Sequence, residues 1–256
     1  MSILLEINNL KYKELFNNLN IIIKKHQITT ISGSNNCGKT TLIKILERLI
    51  NTNKCIKLNN TYIEEYTYND YNLLVQEVIP EISFFRENNL FNELKYYSDD
   101  IEKINNLLKE FKCIKMSKKH ISKLNKKEKF LCQIIISIIK AKSLVIIDNI
   151  DYYFNTKELK EIYKIFHKCI EKYNLTFIIT CLNLESTIYT DELYIIHNGD
   201  IKLHGKPIEV LEKDNILNKI GLEIPFIIDL SVKLKDYNLI DSTKLNYNDM
   251  IDTLWK

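Results

Sequence analysis

Glycine is scarce in this sequence, with five in 256 residues, and proline is scarcer still with three. No Pro/Gly/Ser-rich stretch exists to act as a linker, so any division of the chain has to be read from changes in hydrophobic period. Arginine is nearly absent, Arg48 and Arg86 being the two present, while Ile, Asn, Lys and Tyr are used heavily. With such a bias, an Asn or Lys standing where glycine is expected carries little weight alone. An excess of one charge sign is missing too. The 36 Lys and Arg against 33 Asp and Glu give a net charge of +3, so charge implies neither nucleic acid nor an anionic bilayer as partner. Six cysteines lack any C-x-x-C spacing and several sit in apolar runs, which fits reduced, mostly buried thiols and a cytosolic setting. No apolar run reaches the ~18 to 20 residues of a membrane span. The longest, FLCQIIISIIKAKSLVIID, is interrupted by Gln133, Lys140 and Lys142, and no signal peptide precedes MSILLEINNL. The expectation is a globular chain, 45% hydrophobic and 27% charged, that meets a membrane only through another subunit.

Two of the five glycines fall in ISGSNNCGKTTLIK, at Gly33 and Gly38 with four residues between them. The pattern G-x-x-x-x-G-K-T follows a β-type run, QITTIS. It precedes Leu42, Ile43, Ile45, Leu46, Leu49 and Ile50, the apolar stripe of a helix beginning near Gly38. That setting is the one a phosphate-binding loop requires. Gly33, Ser34, Asn35, Asn36, Cys37 and Gly38 would turn backbone N–H groups toward a polyphosphate, Lys39 would reach its β- and γ-phosphates, and Thr40, followed by Thr41, would ligate Mg²⁺. The bland alternative is a glycine-containing turn with an incidental Lys-Thr. If Asn36 needs a positive φ, asparagine is the least costly non-glycine choice there.

Short β-type runs bounded by asparagines (LLEI, NIII, QITTIS, KCIKL and YNLLV) occupy residues 1 to about 75 with one helix among them. From about 87 to 142 the period turns helical, through Leu90, Phe91, Leu94, then Ile101, Ile104, Leu107, Leu108, Phe111, then Phe130, Ile134, Ile135, Ile138. SLVIID and LTFIIT follow as two continuous apolar runs separated by another helical stripe, which predicts a parallel sheet covered on both faces. Asn198-Gly199 carries the signal of a type I′ hairpin, and Pro207 stands where a helix would begin. The fold class expected is α/β: a P-loop core with an N-terminal antiparallel β part, an inserted helical lobe, and a C-terminal helical extension over residues 214–256 beyond a nucleotide domain of 1–213. Asp148, closing SLVIID, would sit at the carboxyl edge of the sheet beside the loop, either as a magnesium ligand or as a cap of the next turn.

The order of these parts resembles ABC-type ATPases over nearly the whole chain. LKYKELFNNLNIIIKKHQITTISGSNNCGKTTL is similar to the family's opening, HNGDIKLHGKPIEVL to its closing segment, and IGLEIPFIIDLSVKL most resembles the ATPase subunits of energy-coupling factor transporters. The resemblance implies that Tyr12 stacks on adenine and that Gln76, in LLVQE, touches Mg²⁺ and a coupling helix of a membrane subunit. Tyr12 read alone could also be core, and Gln76 could merely end a strand. ATP and Mg²⁺ are the implied cofactors, with Thr40, Gln76 and Asp148 as the metal side. The implied partners are a second ABC ATPase in a head-to-tail dimer, an integral membrane coupling subunit and a substrate-binding membrane protein, at the cytoplasmic face of the cell membrane. No nucleic acid is expected.

Departures from the pattern fall on the chemistry. Asn149 stands at the position of the glutamate that activates water, and Cys181 at that of the switch histidine. Tyr152 to Asn155, YYFN, replaces S-x-L-D, and Leu124-Asn125-Lys126-Lys127-Glu128 stands for the signature L-S-G-G-Q. Asn125 could still cap a helix, while Lys126 and Lys127 could be a solvated face or substitute phosphate ligands. The expectation is a chain that binds ATP better than it cleaves it, the hydrolysis-impaired half of a heterodimeric micronutrient importer, or alternatively a non-hydrolysing scaffold or regulatory subunit.

Overall fold

The computed structural model describes residues 2–79 and 85–254. The chain begins with a long hairpin, β1 (Ile3–Tyr12) and β2 (Phe16–Lys24), closed by a turn in which Leu15 N–H donates to Tyr12 O at 3.0 Å. Strand β3 (Ile28–Gly33) follows, then α1 (Lys39–Leu46), the short strands β4 (Ile56–Leu58) and β5 (Thr61–Tyr62), α2 (Tyr68–Leu74) and β6 (Val75–Val78). The helical lobe holds α3 (Leu90–Tyr97), α4 (Ile101–Glu110) and α5 (Lys126–Lys140). The chain then returns to the sheet through β7 (Leu144–Ile147), α6 (Thr156–Tyr173), β8 (Thr176–Thr180), β9 (Glu192–His197) and β10 (Asp200–Gly205). The C-terminal part is helical: α7 (Pro207–Leu211), α8 (Asp214–Lys219), α9 (Phe226–Asp236) and α10 (Tyr247–Leu254).

Strands β2, β1, β4 and β5 form an antiparallel sheet, and a six-stranded sheet runs in the order β10-β9-β3-β8-β7-β6, parallel except for β10. Side chains alternate across this second sheet as the pleat requires. Leu144 and Ile146 of β7 and Ile178 of β8 join a core shared with α1 and the antiparallel sheet. Val145, Ile147, Phe177 and Ile179 join the core under α5, α6 and the lobe. Each fully buried Leu, Ile or Val of these layers contributes roughly 1.5–3 kcal/mol, which fixes the register and hence which residues reach the sheet's carboxyl edge. A third core joins Leu184, Leu193 and Ile195 to α7 through α10, so the C-terminal helices pack on the sheet rather than apart from it. The α/β fold, the lobe and the hairpin are those expected, Asn198 and Gly199 both having positive φ and Pro207 opening α7.

Two local expectations are corrected. YNLLV is not a strand: its first four residues end α2, which is capped by Thr67 accepting Asp70 N–H at 3.1 Å and anchored by buried Tyr71, whose hydroxyl donates to Leu46 O. Cap and anchor outweigh the β-type composition. The α1 stripe is also shorter than its pattern, since the helix ends at Leu46, Arg48 turns to φ 60° and Leu49 is exposed. No helix among the described residues is long and apolar enough to cross a membrane.

Candidate nucleotide site

Strands β3, β8 and β7 are neighbours, so Gly33, Thr180 and Asp148 emerge side by side at one carboxyl edge, where open α/β sheets bind ligands. The loop from Gly33 enters α1 through Gly38 at φ 104°, a left-handed conformation that also brings its Cα against Phe16, whose ring carbons a Cβ there would meet at 2.6 and 2.7 Å. Asn36 has φ 62°, as expected if it replaces glycine. Helix α1 starts with no side-chain cap and no acidic residue in its first turn. Its N–H groups therefore keep their positive end for a ligand. Lys39 is buried, and its Nζ donates to Gly33 O at 2.7 Å and Ser34 O at 3.0 Å, with Cys37 Sγ at 3.6 Å. A cleft of ≈ 350 Å³ opens here, lined by Leu15, Asn35 to Thr41, Asn149 and Leu182.

Thr40 Oγ1 donates to Asp148 Oδ2 at 3.0 Å. Asp148 is 3% exposed, and its other oxygen takes a hydrogen bond from Thr180 Oγ1. Asn149 follows in the left-handed region at φ 48°, ψ 56°, its N–H donating to Thr180 Oγ1 at 2.7 Å. This donor set fits a polyphosphate carrying a hard divalent cation: N–H groups and an ammonium for the anionic oxygens, a hydroxyl and a carboxylate for the cation. Among the described residues no cluster of three or more His, Cys, Asp or Glu could hold a metal, so the cation's remaining ligands would come from the nucleotide and water.

The other expected residues are placed less uniformly. Tyr12 ends β1, half-buried, with Lys13 Nζ 5.3 Å from its ring centre; its neighbour Leu15, three residues on, is what lines the cleft. Gln76 is not brought to the cluster. In the β6–β7 register it pairs with Val145, three residues short of Asp148, roughly 10 Å along the strand. Its amide instead donates back to Asn72 O and Val75 O. Residues 80–84, which follow Ile79 in the sequence, lie outside those described.

Cys181 is fully buried, its thiol pushed up to about 12 by burial, and its carbonyl accepts Ser32 Oγ at 3.1 Å. It is not among the residues lining the cleft; exposed Leu182 beside it is, its N–H held by Asp151 Oδ2 at 2.8 Å. In the LNKKE segment Asn125 caps α5: its side chain accepts Glu128 N–H at 2.8 Å while Glu128 Oε2 accepts Asn125 N–H at 2.9 Å. Lys126 is exposed, and Lys127, partly exposed, pairs with Glu158 of α6 and lies over Phe154.

Four residues escaped the sequence reading. Thr180 is a polar residue ending an apolar strand, the same signal that singled out Asp148. Leu15 and Leu182 gave none. Glu47, at the end of α1, lies off the cleft with both carboxylate oxygens buried and unpartnered, and its carboxyl is pushed up to about 7 by burial, then by the charges of Glu77 and Asp148.

A sequence profile of the ABC transporter family matches residues 16–151, more than half the chain. The energy-coupling factor transporter ATP-binding protein EcfA1 of Listeria monocytogenes serotype 4b is 23% identical over 249 residues, covering 93% of this chain and 89% of that protein. The zinc import ATP-binding protein ZnuC of Ehrlichia ruminantium is 24% identical over 212 residues, covering 80% and 83%. The structure of CbiO1 from Clostridium perfringens, part of the ABC transporter complex CbiONQ, superposes with a TM-score of 0.74 at 19% identity over 92% of this chain and all of that one. The chain belongs to the ABC transporter family, as an ATP-binding subunit related to the ATPases of energy-coupling factor transporters and of zinc importers.

Proposed function

We propose that this chain is the hydrolysis-impaired half of a heterodimeric ABC importer of the energy-coupling factor type, holding ATP and Mg²⁺ while a second ATPase does most of the chemistry. The observation that carries this is a division within one cleft: the open loop, Lys39 and the Thr40–Asp148 pair are all in place, yet Asn149 is the residue beside them. Asparagine can orient a water by hydrogen bonds but accepts no proton, and loss of a general base costs ~10²- to 10⁴-fold in rate. Lys39 would exchange its two carbonyl partners for phosphate oxygens, and Thr40, its hydroxyl proton given to Asp148, would offer an oxygen lone pair to the cation. Mg²⁺, when bound with the nucleotide, neutralises charge on the phosphate oxygens.

In this reading the second ATPase sits head-to-tail, and both lie under a membrane coupling subunit at the cytoplasmic face, serving uptake of a vitamin or metal ion selected by a substrate-binding membrane protein. The match to EcfA1 along 93% of the chain supports the transporter type. A non-hydrolysing scaffold is the second reading, favoured by the self-capped start of α5, which leaves little for a partner's nucleotide. The test is to measure ATP binding and ATP turnover on the purified chain, alone and with its partner ATPase inactivated at the partner's own site. Binding with turnover near background is expected; brisk Mg²⁺-dependent hydrolysis by the chain alone overturns the proposal.

A further inference from the structure

We infer that Thr180 is the positioning residue of the cation side of this site, fixing both the carboxylate of Asp148 and the backbone turn at Asn149; the inference rests on the loop being an ATP–Mg²⁺ site. Thr180 is wholly buried at the last position of β8, where TFIIT is otherwise apolar but for the threonines at its ends. Its hydroxyl accepts Asn149 N–H at 2.7 Å and donates its single proton to Asp148 Oδ1. With both roles taken, the rotor has one orientation. Asp148 is then held at both oxygens, by Thr180 on one and by Thr40 on the other at 3.0 Å. A carboxylate held at both oxygens has little freedom to rotate away from Thr40.

The same hydroxyl accepts the Asn149 N–H, at a residue held at φ 48°. One side chain thus ties the end of β8 to the segment after β7, and Leu182, two residues past Thr180, lines the cleft. Valine is nearly isosteric with threonine and keeps the strand's packing, so Thr180→Val removes the hydrogen bonds and little else. It leaves Asn149 N–H and one Asp148 oxygen unpaired in a buried place.

Equilibrium binding of ATP is compared in MgCl₂ and in EDTA for the full chain, Thr180→Val and Thr180→Ser. The parent should bind more tightly with Mg²⁺. Thr180→Val should keep its affinity in EDTA within about two-fold and lose about ten-fold or more of the gain from Mg²⁺, the size expected when a hydrogen bond to a charged group is lost; Thr180→Ser should regain it. Amide exchange at Asn149 in the ligand-free chain should quicken in the valine variant alone. A Mg²⁺ gain unchanged in Thr180→Val overturns the inference, as does an equal fall in EDTA and in MgCl₂, which marks a structural role only. If the valine variant fails to fold, Thr180→Ala is read in the same way. A parent chain whose affinity is the same in MgCl₂ and EDTA overturns the ATP–Mg²⁺ reading beneath it, a result the variants do not produce.

Discussion

Helices α1 and α5 both begin where the family places a phosphate, and they begin in opposite ways. Helix α1 is entered through a left-handed glycine, has no side-chain cap and carries no acid in its first turn. Helix α5 is entered through Asn125, which closes a reciprocal box with Glu128 and puts a carboxylate over the N–H end. An uncapped N-terminus leaves several N–H groups unsatisfied, which is a cost unless an anion supplies the bonds. A capped one is stable alone and repels an anion. The difference separates an open terminus, which an anion could complete, from one made self-sufficient, and it supports the proposal that this chain binds ATP at its own loop.

The sharpest way to break that comparison is Lys39→Ala at the open terminus. A charged hydrogen-bond partner of phosphate lost from a buried loop should weaken ATP binding by about 100-fold or more. Lys39 is buried and bonds two carbonyls, so the substitution should also lower the melting temperature of the ligand-free chain. The decisive measurement is the rise in melting temperature that ATP causes in each protein, not the temperature itself. Equal rises would mean that the open terminus does not hold the phosphates.

Much of this site was legible because spacing and hydrophobic period act locally. Gly33 to Thr41 need only their own backbone to form the loop, and Asp148 needs only to follow a buried strand. The place of Gln76 was less legible because it depends on register across the sheet, which puts Ile79 rather than Gln76 level with Asp148. Cys181 shows the same limit at finer scale: it is fully buried just past the end of β8 while exposed Leu182 lines the cleft, and no period in IITCLN separates the two. Glu47 was missed because nothing in ERLI announces burial; the fold's packing around the end of α1 creates it.

Glu47 sharpens the comparison from the other end of α1, where a carboxylate faces the helix's negative pole. Its carboxyl is raised from 4.5 to about 7, chiefly by burial, with Glu77 and Asp148 adding and Lys44 opposing. The folded state therefore retains a proton that the unfolded chain gives up. The stability this contributes is complete below about pH 4.5 and is lost as the pH rises through 7. Because the group is only partly shielded, the loss should be about 1–2 kcal/mol rather than the full value of the shift. Glu47→Gln should lie above the parent at pH 8 in urea unfolding and show a flatter difference between pH 5 and 8. Parallel pH profiles for the two proteins would show that Glu47 titrates normally.

The smallest effect concerns the closed terminus and tests whether closure there is structural alone. Asn125→Ala removes the side-chain acceptor for Glu128 N–H while leaving Glu128 able to take Asn125 N–H. An N-cap asparagine replaced by alanine costs about 1 kcal/mol, so the midpoint of urea unfolding should fall modestly with an unchanged slope. ATP binding by the isolated chain should not change, because in the proposed head-to-tail pair the loop before α1 and the start of α5 would face different nucleotides. The pairing of Lys127 with Glu158 should hold the start of α5 against α6 even without the cap, which limits the loss. If Asn125→Ala instead weakens ATP binding in the isolated chain as Lys39→Ala does, the two helix starts act on one nucleotide, and the opposition between an open and a closed terminus fails.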